Sequence, residues 1–357
     1  MRIAQVAPLY ESVPPRLYGG TERVVSYLTE ALVRAGHEVT LFASGDSVTR
    51  ARLVSPCKRA LRLSETCMDP LVYHVMALDQ VFSMTDEFDL VHFHTDYLHF
   101  PTSKNLEVAH LTTLHGRLDL PDLAPLFESF PQMPLVSISK SQRLPVTAAN
   151  WVGNVYHGLP LDLHTPQGKV GNYLAFLGRI SPEKRPDRAI QIALKAGMPL
   201  KIAAKVDRAD RQYFEEKIRP MLNNPGIEFI GEITDAEKSG FLGNAFAYLF
   251  PIDWPEPFGL TMMEAMACGT PTIAFRCGSV PEVIKEGISG FIVDSEEQAV
   301  AALDRVETLN RATVRNDFVR RFSDTRMAQD YLKIYGKILM EPLEPSLRRV
   351  GRSPAVV

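Results

Sequence analysis

Short apolar runs ending at polar or glycine-containing turns alternate with stretches of helical periodicity, and this alternation runs through the 357-residue chain twice. A strand that must cross back over a sheet before the next one begins pairs in parallel, so the pattern predicts parallel sheets with helices on both faces. The first pass opens with an apolar run at 2–7, followed by a loop rich in proline and glycine. Val24, Leu28, Ala31, Leu32 and Ala35 then repeat at helical spacing, with Gly36 as the stop. Strands are expected at 38–43, 89–94, 109–114 and 135–138, and a helix at 71–85. Between 159 and 168 proline, glycine and polar residues displace the periodic signal, which marks a linker. The second pass predicts strands at 173–177, 200–204, 227–230, 247–250, 270–275 and 290–293. Its helices are expected at 186–196, 211–222, 236–242, 259–267, 296–309 and 325–339. In such sheets ligands sit beyond the carboxyl ends of the strands, so two facing domains create a cleft between two rows of loops.

The composition fits two soluble folded domains. Hydrophobic residues make up 45% and charged residues 23%, which excludes disorder, collagen and coiled coil as the dominant character. A net charge of −3 gives no global positive field to attract nucleic acid. The charge is uneven: 13 basic residues face 17 acidic ones up to residue 165, and 26 face 25 beyond it, which puts a phosphate-bearing ligand on the second half. No run approaches the length of a membrane span, and residues 1–8 are too short for a signal peptide, so a cytoplasmic enzyme is expected, with peripheral membrane contact left open. Cys57, Cys67, Cys268 and Cys277 lack C-x-x-C spacing and read as free thiols.

The segment from Pro251 to Gly269, Pro-Ile-Asp-Trp-Pro-Glu-Pro-Phe-Gly-Leu-Thr-Met-Met-Glu-Ala-Met-Ala-Cys-Gly, is the most informative. It follows an apolar strand, and Pro257 is expected in the first turn of a helix capped by Gly269. The amides of Phe258, Gly259 and Leu260 would then be open at a helix N-terminus, a site suited to phosphate. Glu256 stands just outside that turn and Glu264 about two turns within, so two carboxylates reach different depths of one pocket. This E-x7-E, with its Pro-Phe-Gly, resembles the signature of glycosyltransferase family 4, whose members are retaining enzymes of GT-B architecture. Leu177-Gly-Arg-Ile-Ser-Pro-Glu-Lys-Arg-Pro186 resembles a second family segment. The resemblance implies that Arg179 and Lys184 bind the donor diphosphate, that Glu256 holds the transferred sugar and that Glu264 holds the ribose. Two fixed cations would stabilise the charge that develops on the leaving diphosphate more than the ground state.

On the first half, Tyr18-Gly-Gly-Thr-Glu22 is similar to the family's glycine-rich loop, where Gly19 and Gly20 permit close backbone approach. It lacks the G-x-G-x-x-G of a dinucleotide site. His115, in Thr112-Thr-Leu-His-Gly116, matches a family histidine near the donor sugar. Asp96 and Tyr97 are expected on the acceptor side, and Val206 and Ile230 near the nucleotide base. His92, His94, Asp96 and His99 invite a metal reading, but a third convergent ligand is not evident, and no metal or other cofactor is expected. Val155-Tyr-His-Gly-Leu-Pro160 departs from the family's Pro-Asn-Gly-Val-Asp-like turn, with His157 in place of the usual Asn.

The resemblance therefore implies an α/β fold of GT-B architecture, two doubly wound Rossmann-like domains facing across a cleft. Residues 1–165 form the acceptor domain, 166–340 the donor domain with its last helix able to return to the first, and 341–357 a loose tail. The implied activity is transfer of a hexose from a nucleotide-diphosphate sugar, with uridine preferred, to a saccharide, lipid or small-molecule acceptor, by front-face displacement with retention. A phosphorylase or nucleotide-sugar epimerase of the same architecture, and a non-catalytic sugar-nucleotide sensor, remain alternatives.

Overall fold

The computed structural model describes residues 1–16 and 19–340; Tyr18 and the tail 341–357 lie outside the described residues. Two parallel sheets carry the fold. The first contains β1 (Arg2–Val6), β2 (Glu38–Phe42), β3 (Arg52–Val54), β4 (Leu90–Phe93), β5 (Ala109–Thr113), β6 (Leu135–Ser137) and β7 (Trp151–Asn154), in the order β3-β2-β1-β4-β5-β6-β7. The second contains β8 (Leu174–Arg179), β9 (Leu200–Lys205), β10 (Ile227–Gly231), β11 (Ala247–Phe250), β12 (Thr272–Phe275) and β13 (Gly290–Val293), in the order β10-β9-β8-β11-β12-β13. Each order reverses once, between β1 and β4 and between β8 and β11. Helices leave opposite faces at such a reversal, and the crevice they open beyond the strand ends is where a ligand fits.

The helices that shape this crevice are α1 (Gly20–Arg34), α2 (Pro70–Ser83), α3 (Pro186–Ala196), α4 (Asp235–Gly243), α5 (Leu260–Ala267), α6 (Glu296–Val306), α7 (Arg311–Phe322) and α8 (Asp324–Met340). The strands are apolar on both faces because both faces are covered. In α5, Met262, Met263, Ala265, Met266 and Ala267 are wholly buried, so the single charged residue there, Glu264, enters an apolar environment. The last helix crosses back. It lies against α1 and β5, and Tyr331 and Tyr335 are buried beneath the first sheet's own side chains.

Several elements differ from the sequence expectation. β3 and β7 are short edge strands, partly exposed, and β7 includes Gly153, so neither shows the apolar alternation of a strand. The expected helix at 211–222 divides into one α-turn, a π-turn at Phe214–Ile218 and a 3₁₀ segment around Pro220, which lacks the amide a continuing helix needs. α7 escaped notice because Arg311, Arg315, Arg320 and Arg321 dilute its apolar period; its start signal is Asn310, whose side chain accepts from the amides of Ala312 and Thr313. α5 begins at Leu260, so Pro257 precedes the helix and Glu264 lies about one turn inside it. All four cysteines are free. Among the described residues no helix is long and apolar enough to cross a membrane.

The sheet interior leaves little tolerance at β13. A Cβ on Gly290 would fall 1.9 Å from the Thr272 carbonyl oxygen of the neighbouring strand, a rigid backbone atom. Gly290→Ala is expected to lower the unfolding free energy by at least ~3 kcal/mol, the range of severe core overpacking. Denaturant titration of purified protein measures it, and a midpoint equal to wild type contradicts the strand register.

Candidate functional site

Both rows of strand-end loops face one cleft of about 720 Å³, within the range of small-ligand sites. From the first sheet come Gly19 and Gly20 after β1, His94 to Leu98 after β4, and His115 to Arg117 after β5. From the second come Arg179 and Lys184 after β8, Lys205 after β9, and Trp254 to Glu264 after β11. Seven basic and five acidic residues line the cleft, against a chain-wide charge of −3, which makes it an anion-attracting region of an acidic protein.

The E-x7-E carboxylates sit in different surroundings. Glu256 pairs with Lys184 and accepts from Trp254 Nε1 at 3.0 Å. The Lys184 ammonium also lies 5.0 Å from the Trp254 ring and 5.9 Å from that of Phe250, a favourable cation–π placement. The Glu256 loop is braced from behind: Ser279 donates its amide to the Glu256 carbonyl at 3.0 Å and its hydroxyl to the Phe258 carbonyl at 2.8 Å. Gly278 makes that approach possible, with φ +54° and backbone atoms of Glu256 2.4 Å from where a Cβ would stand.

Glu264 is buried. Lys238 on α4 donates to its Oε1 at 2.7 Å and forms an ion pair with Asp235, its Nζ 3.0 Å from Oδ1, and Asp235 pairs in turn with Arg23 of α1. Burial alone would raise the Glu264 carboxyl, but Lys238, His164 and Arg23 outweigh it and hold it well below the usual carboxylate range. Its Oε2 is buried without a hydrogen-bond partner among the described residues, leaving one acceptor open. His164, Asp235 and Glu264 could in principle grip a cation, but Lys238 and Arg23 already occupy the two carboxylates.

The expected diphosphate cations are both engaged by acids. Arg179 pairs with Glu183 and has Asp210 at 3.5 Å and Asp207 at 3.9 Å. Phe258, Gly259 and Leu260 all line the cleft; Gly259 is the N-cap of α5, with φ +82° and Met262 Cε 2.6 Å from where a Cβ would stand. Gly20 faces Leu260 across the cleft, its missing Cβ 3.6 Å from Leu260 Cδ1, and Gly19 passes close to Pro15. Asp96 and Tyr97 line the cleft from the first sheet. Asp96 is exposed and adopts a left-handed φ of +50°, uncommon for a residue with a side chain.

Val206 and Ile230 are corrections. Neither lines the cleft. Val206 packs against the apolar cluster on the second sheet, and the β10–β9 register shifts between Phe229 and Gly231, so Ile230 bulges outward and is 38% exposed. Their neighbours Lys205, Glu232 and Ile233 line the cleft instead. The ring nitrogens of two first-half histidines hold side chains: His92 meets Tyr335 and Thr113, each at 2.7 Å, and His99 meets Ser103 at 2.7 Å and Thr112 at 2.9 Å. Arg23, Lys238 and Trp254 carry no advance signal, since a lysine or arginine on an amphipathic helix reads as a solvated face.

Two predictions follow from these surroundings. Gly278→Ala must displace the Glu256 backbone, and any activity of the site should fall at least about tenfold while the chain stays folded, as checked by steady-state kinetics beside circular dichroism. Burial, first among the causes, lowers His74, His92, His94, His99, His110, His115 and His157 from the ordinary value of 6.5, His115 to about 3. Below pH 6.5 the unfolded chain therefore binds protons that the folded one refuses, and stability falls as the pH drops. Each of these histidines contributes up to about 1.4 kcal/mol per pH unit. Melting temperatures should decline steeply between pH 7 and pH 5, and a flat profile would contradict neutral burial.

The comparisons with known proteins agree with this geometry. Residues 165–321 match the family described as glycosyl transferases group 1, and residues 18–147 match glycosyltransferase family 4. A phosphatidyl-myo-inositol mannosyltransferase of Mycolicibacterium smegmatis is 24% identical over 95% of this chain and 92% of its own; the chain spans about half the length or less of several other curated relatives it matches, among them a phosphatidyl-myo-inositol mannosyltransferase (47%) and a D-inositol 3-phosphate glycosyltransferase (31%) of Mycobacterium leprae. Among solved structures, a glycosyltransferase of avilamycin A biosynthesis, AviGT4, superposes with a TM-score of 0.73 at 23% identity, covering 95% of this chain and 98% of its own. Anabaena HepE in complex with UDP and glucose gives 0.71 at 16% identity, over 94% and 100%. The fold is that of the GT-B glycosyltransferases, and with both halves of the chain matched to it, the protein belongs to glycosyltransferase family 4.

Proposed function

We propose that this glycosyltransferase moves a hexose from a nucleoside-diphosphate sugar, with uridine the preferred base, to an acceptor held by the first sheet's loops, and that the anomeric configuration is retained. The observation that carries the reading is the pair of carboxylates at two depths of a cation-lined cleft, Glu256 at its wall and Glu264 in its floor with Oε2 open. A vicinal diol donates hydroxyl hydrogens to such an acceptor, which suits Glu264 to the ribose. Glu256 faces the same cleft closer to Lys184 and suits the hydroxyls of the transferred sugar. The diphosphate, carrying more charge as the glycosidic bond breaks, competes with Glu183 and Glu256 for Arg179 and Lys184, so the acids keep the cations folded inward until the ligand arrives.

No side chain on the acceptor side is assigned as a covalent nucleophile, and front-face attack with a diphosphate oxygen taking the acceptor proton fits that arrangement. Protein cations take the part that a divalent ion plays elsewhere. The complexes of HepE with UDP and with UDP-glucose support the uridine preference by analogy. The acceptor chemistry is open between a saccharide, a lipid and a small molecule, and the mannosyltransferase relative favours a mannose or inositol-containing pair.

A thermal-shift panel of uridine, guanosine and adenosine diphosphates and their sugars tests the donor; a ligand at 100 times its Kd adds about 2.7 kcal/mol. Glu256→Gln should abolish transfer and keep the nucleotide-induced shift. Loss of the shift with unchanged turnover would reverse the assignment, and binding without turnover in the wild type over a broad acceptor set would favour a sensor.

A further inference from the structure

A row of buried polar side chains runs from the last helix to the cleft, and its hydrogen bonds can be given a direction. Tyr335 of α8 presents its hydroxyl to His92 Nδ1 at 2.7 Å and to Gln5 Nε2 at 3.2 Å. Gln5 Oε1 meets His94 Nε2 at 2.8 Å, and His94 Nδ1 meets His115 Nε2 at 2.9 Å. His92 Nε2 contacts Thr113 Oγ1 at 2.7 Å, and that hydroxyl contacts Tyr331 at 2.9 Å. Gln5, His92, His94 and Tyr335 are buried, so each bond must be satisfied inside the protein.

A phenol is the strongest neutral donor in this row and an imidazole nitrogen the strongest acceptor, since the one ionises near pH 10 and the other binds a proton near pH 6.5. The short contact therefore runs from the Tyr335 hydroxyl to His92 Nδ1. With its proton committed, the Tyr335 oxygen accepts from Gln5 Nε2, which turns Gln5 Oε1 toward His94. His94 must then donate from Nε2, and in a neutral imidazole this leaves Nδ1 as the acceptor. His115 accordingly donates from Nε2 to His94 and keeps a lone pair on Nδ1. That nitrogen is buried and has no partner among the described residues, while His115 lines the cleft. Desolvation keeps all three imidazoles neutral at pH 7.

We infer that Tyr335, acting through Gln5 and His94, fixes the tautomer of His115 so that it offers a hydrogen-bond acceptor to a hydroxyl of the bound sugar. Tyr335, Gln5 and His94 are positioning residues that act through His115. The consequence is a selection rule. A sugar bearing a hydroxyl at the contacted carbon is accepted, and one bearing a carboxylate or an ether oxygen there meets lone pair against lone pair. The tautomer is independent of the transferase reading; the identity of the group it binds rests on that reading.

Two-bond ¹H–¹⁵N correlation spectra of histidine-labelled protein show which nitrogen of each ring carries the proton, and the signals lost in His115→Gln identify His115. At pH 7 the wild type should show His115 protonated on Nε2 and bare on Nδ1. A proton on Nδ1, or on both nitrogens, overturns the inference without need of any variant. Tyr335→Phe frees Gln5 to turn over, and should convert His115 to a mixture of tautomers and lower kcat/KM about tenfold; Gln5→Met breaks the same row if that protein does not fold. Unchanged His115 signals in the folded variant overturn the role of Tyr335. A changed tautomer with unchanged kcat/KM overturns the sugar contact and leaves the donor reading to the nucleotide panel.

Discussion

A carboxylate held ionised in an apolar helix is the constraint around which the cleft is arranged. Taking Glu264 out of water costs several kcal/mol unless opposite charge lies within contact. The compensation comes from two helices, Lys238 on α4 and Arg23 on α1 of the opposite sheet, with Asp235 bridging the two cations. Because Arg23 belongs to the first sheet's helix, the balance of charge around Glu264 is complete only when the two sheets face each other as they do here. A group buried for its chemistry thus also ties the halves together. Glu282 makes a second such tie, accepting from the amides of Lys140 and Ser141 and the hydroxyl of Tyr156.

Much of the architecture was legible because parallel sheets impose a strong sequence signature. Strands covered on both faces read as unbroken apolar runs, and 247–250 and 272–275 left no other interpretation. The segment from Glu256 to Glu264 was equally plain, since a Pro-Phe-Gly turn between two buried elements carries a carboxylate on either side, and both line the cleft. What escaped were features set by partners distant in sequence. Lys238 is an unremarkable surface lysine until α5 is folded against it. Ile230 looked like a strand residue facing a ligand until the β10 register slipped and pushed it outward. Spacing put His92 and His94 on one face of β4 but is silent about what fills the space beside them; Tyr331 and Tyr335, about 240 residues away, fill it.

The cations illustrate how charge in an unliganded site differs from charge in a working one. Sequence placed Arg179 and Lys184 where a diphosphate would lie, and the structure puts them at the cleft already neutralised by Glu183 and Glu256. An arginine and a lysine left bare beside one another would repel and stay hydrated. Pairing them with acids keeps them dry and aimed, at the cost of a competition that an incoming anion must win.

The return of α8 to the first sheet has a wider implication. The segment that closes the described fold reaches the innermost strands of the half that opens it, through Tyr335 to Gln5 on β1. A nascent chain emerging from the ribosome therefore exposes the polar interior of its leading lobe, with Gln5 and His92 lacking their phenolic partner, until the helix that carries Tyr335 has been made. Maturation of that lobe consequently waits on synthesis of the second one, and truncation anywhere upstream of Tyr331 would be felt more than 200 residues away, in the first sheet.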